Sequence, residues 1–154
     1  LCGVGVGQVQ VHDSVFARNQ AAVAGGGIFL ESCGFSIQRC TFWQNSAAAG
    51  DAGGISYRLC DPGSISGTII AASTSGAALV YDDGSWPFCC NFYGNAGGDW
   101  VGCVEGADIP ELGNISRDPL FCDPDALDFT LSARSPCAPD DDCGGMGARG
   151  IGCD

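Results

Sequence analysis

Two aspartate groups, Asp123-x-Asp125-x-x-Asp128 and Asp140-Asp141-Asp142, are the densest sets of hard oxygen donors in the chain. Clustered carboxylates of this kind would serve Ca2+, which takes six to eight oxygen ligands. No loop here has the helix-flanked calcium pattern with its closing Glu, and the plainer reading is solvated turn residues that cap backbone. Calcium is the one cofactor the sequence admits. His12-Asp13 is a lone dyad with no nucleophilic serine in pattern, which reads as a surface turn. Glu31 and Arg58 each sit four residues past a glycine group, which reads as an ion pair across neighbouring turns rather than a catalytic pair. A polysaccharide lyase or hydrolase would need a strong base or two carboxylates gathered on one face. The charges Arg18, Glu31, Arg39, Asp51, Arg58 and Asp61 fall at unequal offsets, so no catalytic residue is expected.

Eleven cysteines are too many for a reducing cytosol unless they bind metal. There is no Cys-x-x-Cys, and the single His12 has no partner at ligand spacing, so zinc does not fit. Disulfides in an extracellular or periplasmic setting do. Sequence does not settle connectivity; the pairs expected are Cys33–Cys60 across adjacent turns, Cys89–Cys103, Cys122–Cys137 and Cys143–Cys153. Cys40 and Cys90 read as buried small fillers. The odd count leaves at least one thiol over, and Cys2 is the candidate for a bond upstream or to another chain.

What positions these residues is a repeat. The phrase Cys40-Thr41-Phe42-Trp43-Gln44-Asn45 returns as Cys90-Asn91-Phe92-Tyr93-Gly94-Asn95, with a looser copy at Ser14–Asn19 and a degenerate one at Thr68–Ser73. Its apolar centres Phe16, Phe42, Ile70 and Phe92 are 26, 28 and 22 residues apart. A period of that size in a glycine-rich chain indicates a solenoid, whose turns bury their apolar residues only by stacking on one another. Asn19, Asn45 and Asn95 would form the corners, tolerating left-handed backbone and bonding along the stack. Gly26-Gly27-Ile28 and Gly53-Gly54-Ile55 would let the walls approach closely. Cys33 and Cys60 lie at equal offsets from these groups, which would put them about 4.8 Å apart in successive turns.

The period fails after residue 103. Residues 1–103 read as the repeats and 104–154 as an acidic, proline- and cysteine-rich cap, with Asp128–Ser132 its clear strand. The net charge of −12 comes from 18 acids and 6 arginines, with no lysine. That balance argues against nucleic acid and anionic membrane surfaces as partners. No apolar run reaches the ~20 residues of a membrane span. The opening Leu1-Cys2-Gly3 is in mid-pattern, so the expectation is a processed piece of an exported protein. Asn114-Ile115-Ser116 is a glycosylation sequon.

The alternation of Phe-x-x-Asn (Phe16/Asn19, Phe42/Asn45, Phe92/Asn95) with Gly-Gly-Ile resembles the right-handed parallel β-helix repeats of polymorphic outer-membrane proteins. It is also similar to the broad pectate-lyase-like superfamily of secreted bacterial β-helix proteins. The tail, Asn114 to Asp123 followed by Asp128–Leu131 and Ser135-Pro136-Cys137, looks like the end that closes such solenoids. The fold expected is therefore all-β, a right-handed parallel β-helix of about four coils with a disulfide-tied C-terminal cap. The function expected is an extracellular or cell-surface structural protein that self-associates through the apolar N-terminal end of the solenoid. Two alternatives are an adhesin or glycan-binding module using Trp43, Trp86, Trp100 and Tyr93, and a carbohydrate-active enzyme.

Overall fold

The computed structural model describes residues 1–5, 7–60, 62–82, 86–101, 112–139 and 142–154. Its first turn runs through β1 (Cys2–Val4), β2 (Gln8–His12), β3 (Val15–Ala17) and β4 (Gln20–Ala21). The second repeats it as β5 (Ile28–Glu31), β6 (Gly34–Gln38), β7 (Thr41–Trp43) and β8 (Ser46–Ala47). The third holds β9 (Ala52–Arg58), β10 (Gly63–Ser66) and β11 (Ile69–Ala71), and the fourth keeps β12 (Ala77–Tyr81) and β13 (Asn91–Tyr93). Like strands pair in parallel down the stack, as sheets β1-β5-β9-β12, β2-β6-β10 and β3-β7-β11-β13, with a small β4-β8 pair. The result is a β-solenoid of about three full turns. The fourth turn is partial, because its middle strand shrinks to a single bridge between Ser66 and Phe88.

Register makes the core. Phe16, Phe42, Ile70 and Phe92 are direct partners along the third sheet. Ile28 pairs with Ile55 and Leu79 with Ile55 on the first sheet, while Val11, Ile37 and Ile65 align on the second. These side chains, apart from the end residue Phe16, are almost wholly buried. Phe16 stacks on Phe42 at 4.9 Å and Tyr57 on Tyr81 at 5.0 Å, both nearly parallel, because in-register strands place equal rings one rung apart. A Cβ on Gly54 would lie 2.4 Å from the Ala78 carbonyl oxygen and 2.5 Å from Ile70 Cγ2. The glycine pair is therefore fixed by wall-to-wall approach.

The corners follow one rule that differs from the expectation. The left-handed residue is not the asparagine but the one before it: Arg18, Gln44, Ala72 and Gly94 have φ of 58, 52, 55 and 65°. Asparagine turns inward and bonds the rungs. Asn45 Oδ1 accepts from the Asn19 backbone N–H and Nδ2, at 2.9 and 3.0 Å, while Asn45 Nδ2 donates to Phe16 O at 2.8 Å. Asn95 does the same with the Ser73 N–H and Ile70 O, so the serine in the degenerate phrase is served from the next turn.

A second left-handed column, Asp13, Arg39, Gly67 and Cys89, is followed by Ser14, Cys40, Thr68 and Cys90. Each of these four donates its hydroxyl or thiol to the carbonyl two residues back. The corner wants a small inward donor, and Ser, Cys and Thr all meet that need. Asn114 occupies the same position one rung further on, since Asn91 bridges Ile115.

The tail is disulfide-tied, but most of it lies along the flank of the solenoid. After Ile115 adds a rung on β13, the chain forms β14 (Phe121–Asp123), β15 (Asp128–Ser132) and β16 (Ile151–Cys153). This small sheet and the turns around it cover the outer face of β7, β11 and β13. Ile69, Ala71, Leu131, Cys137 and Met146 form a second core there, joined by Trp43 and Phe121. The Ala148 N–H donates to Thr41 Oγ1, and Asn91 Nδ2 donates to Arg117 O. The expected boundary at residues 103/104 lies outside the described residues.

Candidate functional site

Each arginine of the coils, Arg18, Arg39 and Arg58, meets a carboxylate. Arg39 binds Asp13 with two parallel bonds of 2.7 and 2.9 Å, and these hold the Asp13 carboxyl below its usual range. Arg58 meets Glu31 across the turn at 3.3 Å, as equal offsets require, and also lies over the Phe29 ring. Arg18 reaches Asp125 at 3.3 Å and so links coil to tail. These are exposed pairs worth little to stability. They cancel charge locally. Asp51 and Asp82 do line one cleft, of about 230 Å³, but Asp51 accepts from the Ala52 N–H and Ser56 Oγ and Asp82 from the Leu59 N–H, so both serve as caps of the coil.

The calcium set does not come together. Asp123 caps a short 3-10 turn by accepting from the Ala126 N–H, and Asp125 faces Arg18. Asp128 accepts from both Thr130 groups, whose bonds hold its carboxyl low. Among the described residues no three His, Cys, Asp or Glu form a metal-holding group. Asp140 and Asp141 lie outside the described residues, beside exposed Asp142. The sequon is also spent internally: Asn114 is buried, its Oδ1 accepting from Cys90 N–H and its Nδ2 donating to Pro87 O. The nitrogen a glycan would need is inside the fold.

Two disulfides form, Cys89–Cys143 and Cys122–Cys153. They replace the expected pairs Cys89–Cys103, Cys122–Cys137 and Cys143–Cys153. The tail instead folds back over the coil, bringing Cys143 to the Cys89 corner, and its sheet draws first strand to last. Cys103 lies outside the described residues. Cys137 is a buried thiol that accepts from Asn91 Nδ2, and burial pushes its pKa up to about 11. Burial also raises Cys90 to about 12, keeping it protonated and able to donate at its corner.

Cys33 and Cys60 are stacked at the first corner as thiols, their sulfurs 3.6 Å apart. Burial and the neighbouring Cys60 raise Cys33 to about 11. One rung of separation suits a disulfide, whose Cα atoms sit about 4.4–6.8 Å apart. Protein refolded in a glutathione redox buffer is expected to carry a third bond, Cys33–Cys60. Peptide mapping after alkylation in denaturant checks it, and two alkylated peptides at these positions would refute it.

The aromatics separate into packed and free. Trp43 lies edge-on to Phe121 at 5.5 Å in the second core, its Nε1 buried without a partner, and Trp100 covers Phe92 at 4.7 Å. Neither is a platform. Trp86 and Phe88 are 50% and 48% exposed, and Tyr93 38%. Phe88 continues the outward column His12–Gln38–Ser66 of the second sheet. A groove of about 390 Å³ runs beside it, lined by Gln38, Arg39, Ser66, Phe88 and the Cys89–Cys143 disulfide. Phe88 was not among the aromatics expected at the surface; its parity with outward Ser66 was the available signal.

At the other end β1, β2 and β3 pair on one side only among the described residues. Leu1 and Val4 are exposed and Phe16 is half-buried, and a cleft of about 550 Å³ opens beside Leu1, Val23 and Phe29.

Comparison of the chain with known protein families, with curated proteins and with solved structures finds no match in any of the three. The class that fold and surfaces define is a disulfide-bonded parallel β-solenoid. None of its described helices is long and apolar enough to cross a membrane.

Proposed function

We propose that this chain is an extracellular, non-enzymatic structural module of a cell surface, which associates with further copies through the N-terminal edge of its solenoid in a stalk, filament or surface layer. The observation that carries this is the difference between the two ends. The Ile115 rung and Trp100 cover the Phe92 column, whereas the β1–β3 edge presents apolar side chains and, among the described residues, backbone with no strand beside it. Such an edge is a template for strand addition. The charge distribution supports the reading: residues 1–24 of this acidic chain hold one acid, Asp13, already paired with Arg39. Two copies can therefore meet there without like-charge repulsion. Two disulfides and the likeness of the repeats to secreted β-helix proteins support the compartment.

Light scattering across a concentration series tests it. The expected mass exceeds 15.6 kDa and rises with concentration. Gly34 and Asp13 mark which β2 groups face β6, and by that alternation the Gln10 N–H faces outward. Gln10→Pro is then expected to return the protein to a monomer without breaking the β2–β6 ladder. A wild-type mass of 15.6 kDa at every concentration would overturn the proposal.

A further inference from the structure

The outer face of the second sheet carries no acidic side chain on its strands, in a protein of net charge −12. Its outward positions on β2, β6 and β10 are Gln8, Gln10, His12, Ser36, Gln38, Ser64 and Ser66, with Ser64 donating to Ser36 across the rungs at 3.3 Å. None is a carboxylate, lysine or arginine. Where the face runs into the fourth turn, the next outward side chain is Phe88, and Trp86 stands two residues before it with Pro87 buried between them. Two half-exposed aromatic rings thus follow a flat field of amides and hydroxyls. A groove of about 390 Å³ borders Phe88, within the ~300–1,000 Å³ usual for ligand clefts. Its one charged lining residue, Arg39, is neutralised by Asp13.

We propose that Trp86 and Phe88, with Gln38, Ser66 and Ser64, form a binding face for a neutral polysaccharide chain. The ring faces carry negative π density and accept the C–H-lined faces of sugar rings, while amides and hydroxyls pair with sugar hydroxyls. The absence of charge on this face selects the ligand class. The outward strand positions offer an acidic polysaccharide no lysine or arginine, and the protein's net charge of −12 would repel it. A flat sheet face also suits an extended polymer better than a compact small molecule. The site involves neither the N-terminal edge nor assembly, so it stands or falls separately from the structural role.

Native gels containing hydroxyethylcellulose, laminarin or galactomannan, with polygalacturonate in parallel, test the assignment. At least one neutral polymer is expected to retard the protein, in high salt as in low. The double variant Trp86→Ala/Phe88→Ala is expected to weaken retardation about tenfold or more, and Trp86→Phe to keep most of it. Both positions are exposed, and unchanged thermal melting of the variants identifies the loss as local. Migration unaffected by all three neutral polymers, equal retardation of wild type and double variant, or stronger retardation by polygalacturonate would each overturn the proposal.

Discussion

Phe42→Ala is expected to destabilise the protein by about 3–5 kcal/mol, measured as the shift in a chemical-denaturation midpoint at unchanged slope. The ring is 1% exposed, stacked on Phe16 from one side and in register with Ile70 on the other. Removing it leaves a hole that stacked backbones cannot close, because each rung is held to its neighbours by a full ladder. Phe16→Ala is the internal control. That ring is only half-buried at the open end, and its loss should cost roughly half as much. Equal costs at the two positions would mean that the rings do not share one interior column.

Severing Cys89–Cys143 by a Cys89→Ser/Cys143→Ser double substitution is expected to cost about 2–4 kcal/mol. The bond closes a loop with a sequence separation of 54, and among the described residues it is the disulfide that ties coil to tail. Its loss should loosen the tail selectively. Trp43 fluorescence would shift to the red and dye binding to apolar surface would rise, since Trp43, Ile69 and Ala71 are covered by the tail alone. Protease should then remove the tail while leaving the coils. Unchanged Trp43 emission would show that the second core holds without the bond.

The coil was legible because stacking makes sequence offsets into spatial neighbours. The Phe16–Phe42–Ile70–Phe92 register, the Cys33/Cys60 stack and the Glu31–Arg58 pair are all consequences of equal spacing. The tail obeys no period, so neither its placement nor its disulfides could be read that way. A clue was present in Ile69-Ile70-Ala71, an apolar run without alternation, which marks a strand covered on both faces. The corner asparagines were right in position and in bonding along the stack, but the left-handed backbone falls one residue earlier, since both needs favour the same residue type. Trp43 and Trp86 show the limit of reading aromatics by type: one is enclosed by Phe121 and Phe129, the other faces solvent.

The corner that accepts Ser14, Cys40, Thr68 and Cys90 alike has a practical bearing on how the molecule can be handled. Sulfur at these places is an alternative spelling of hydroxyl, so cysteine abundance overstates how much of the chain depends on oxidation. Replacing Cys40 by serine and Cys90 by threonine would leave the wall intact and simplify the thiol inventory. Among the described residues that leaves Cys2 as the accessible sulfur, a natural attachment point for a fluorophore or spin label at the end where copies would meet.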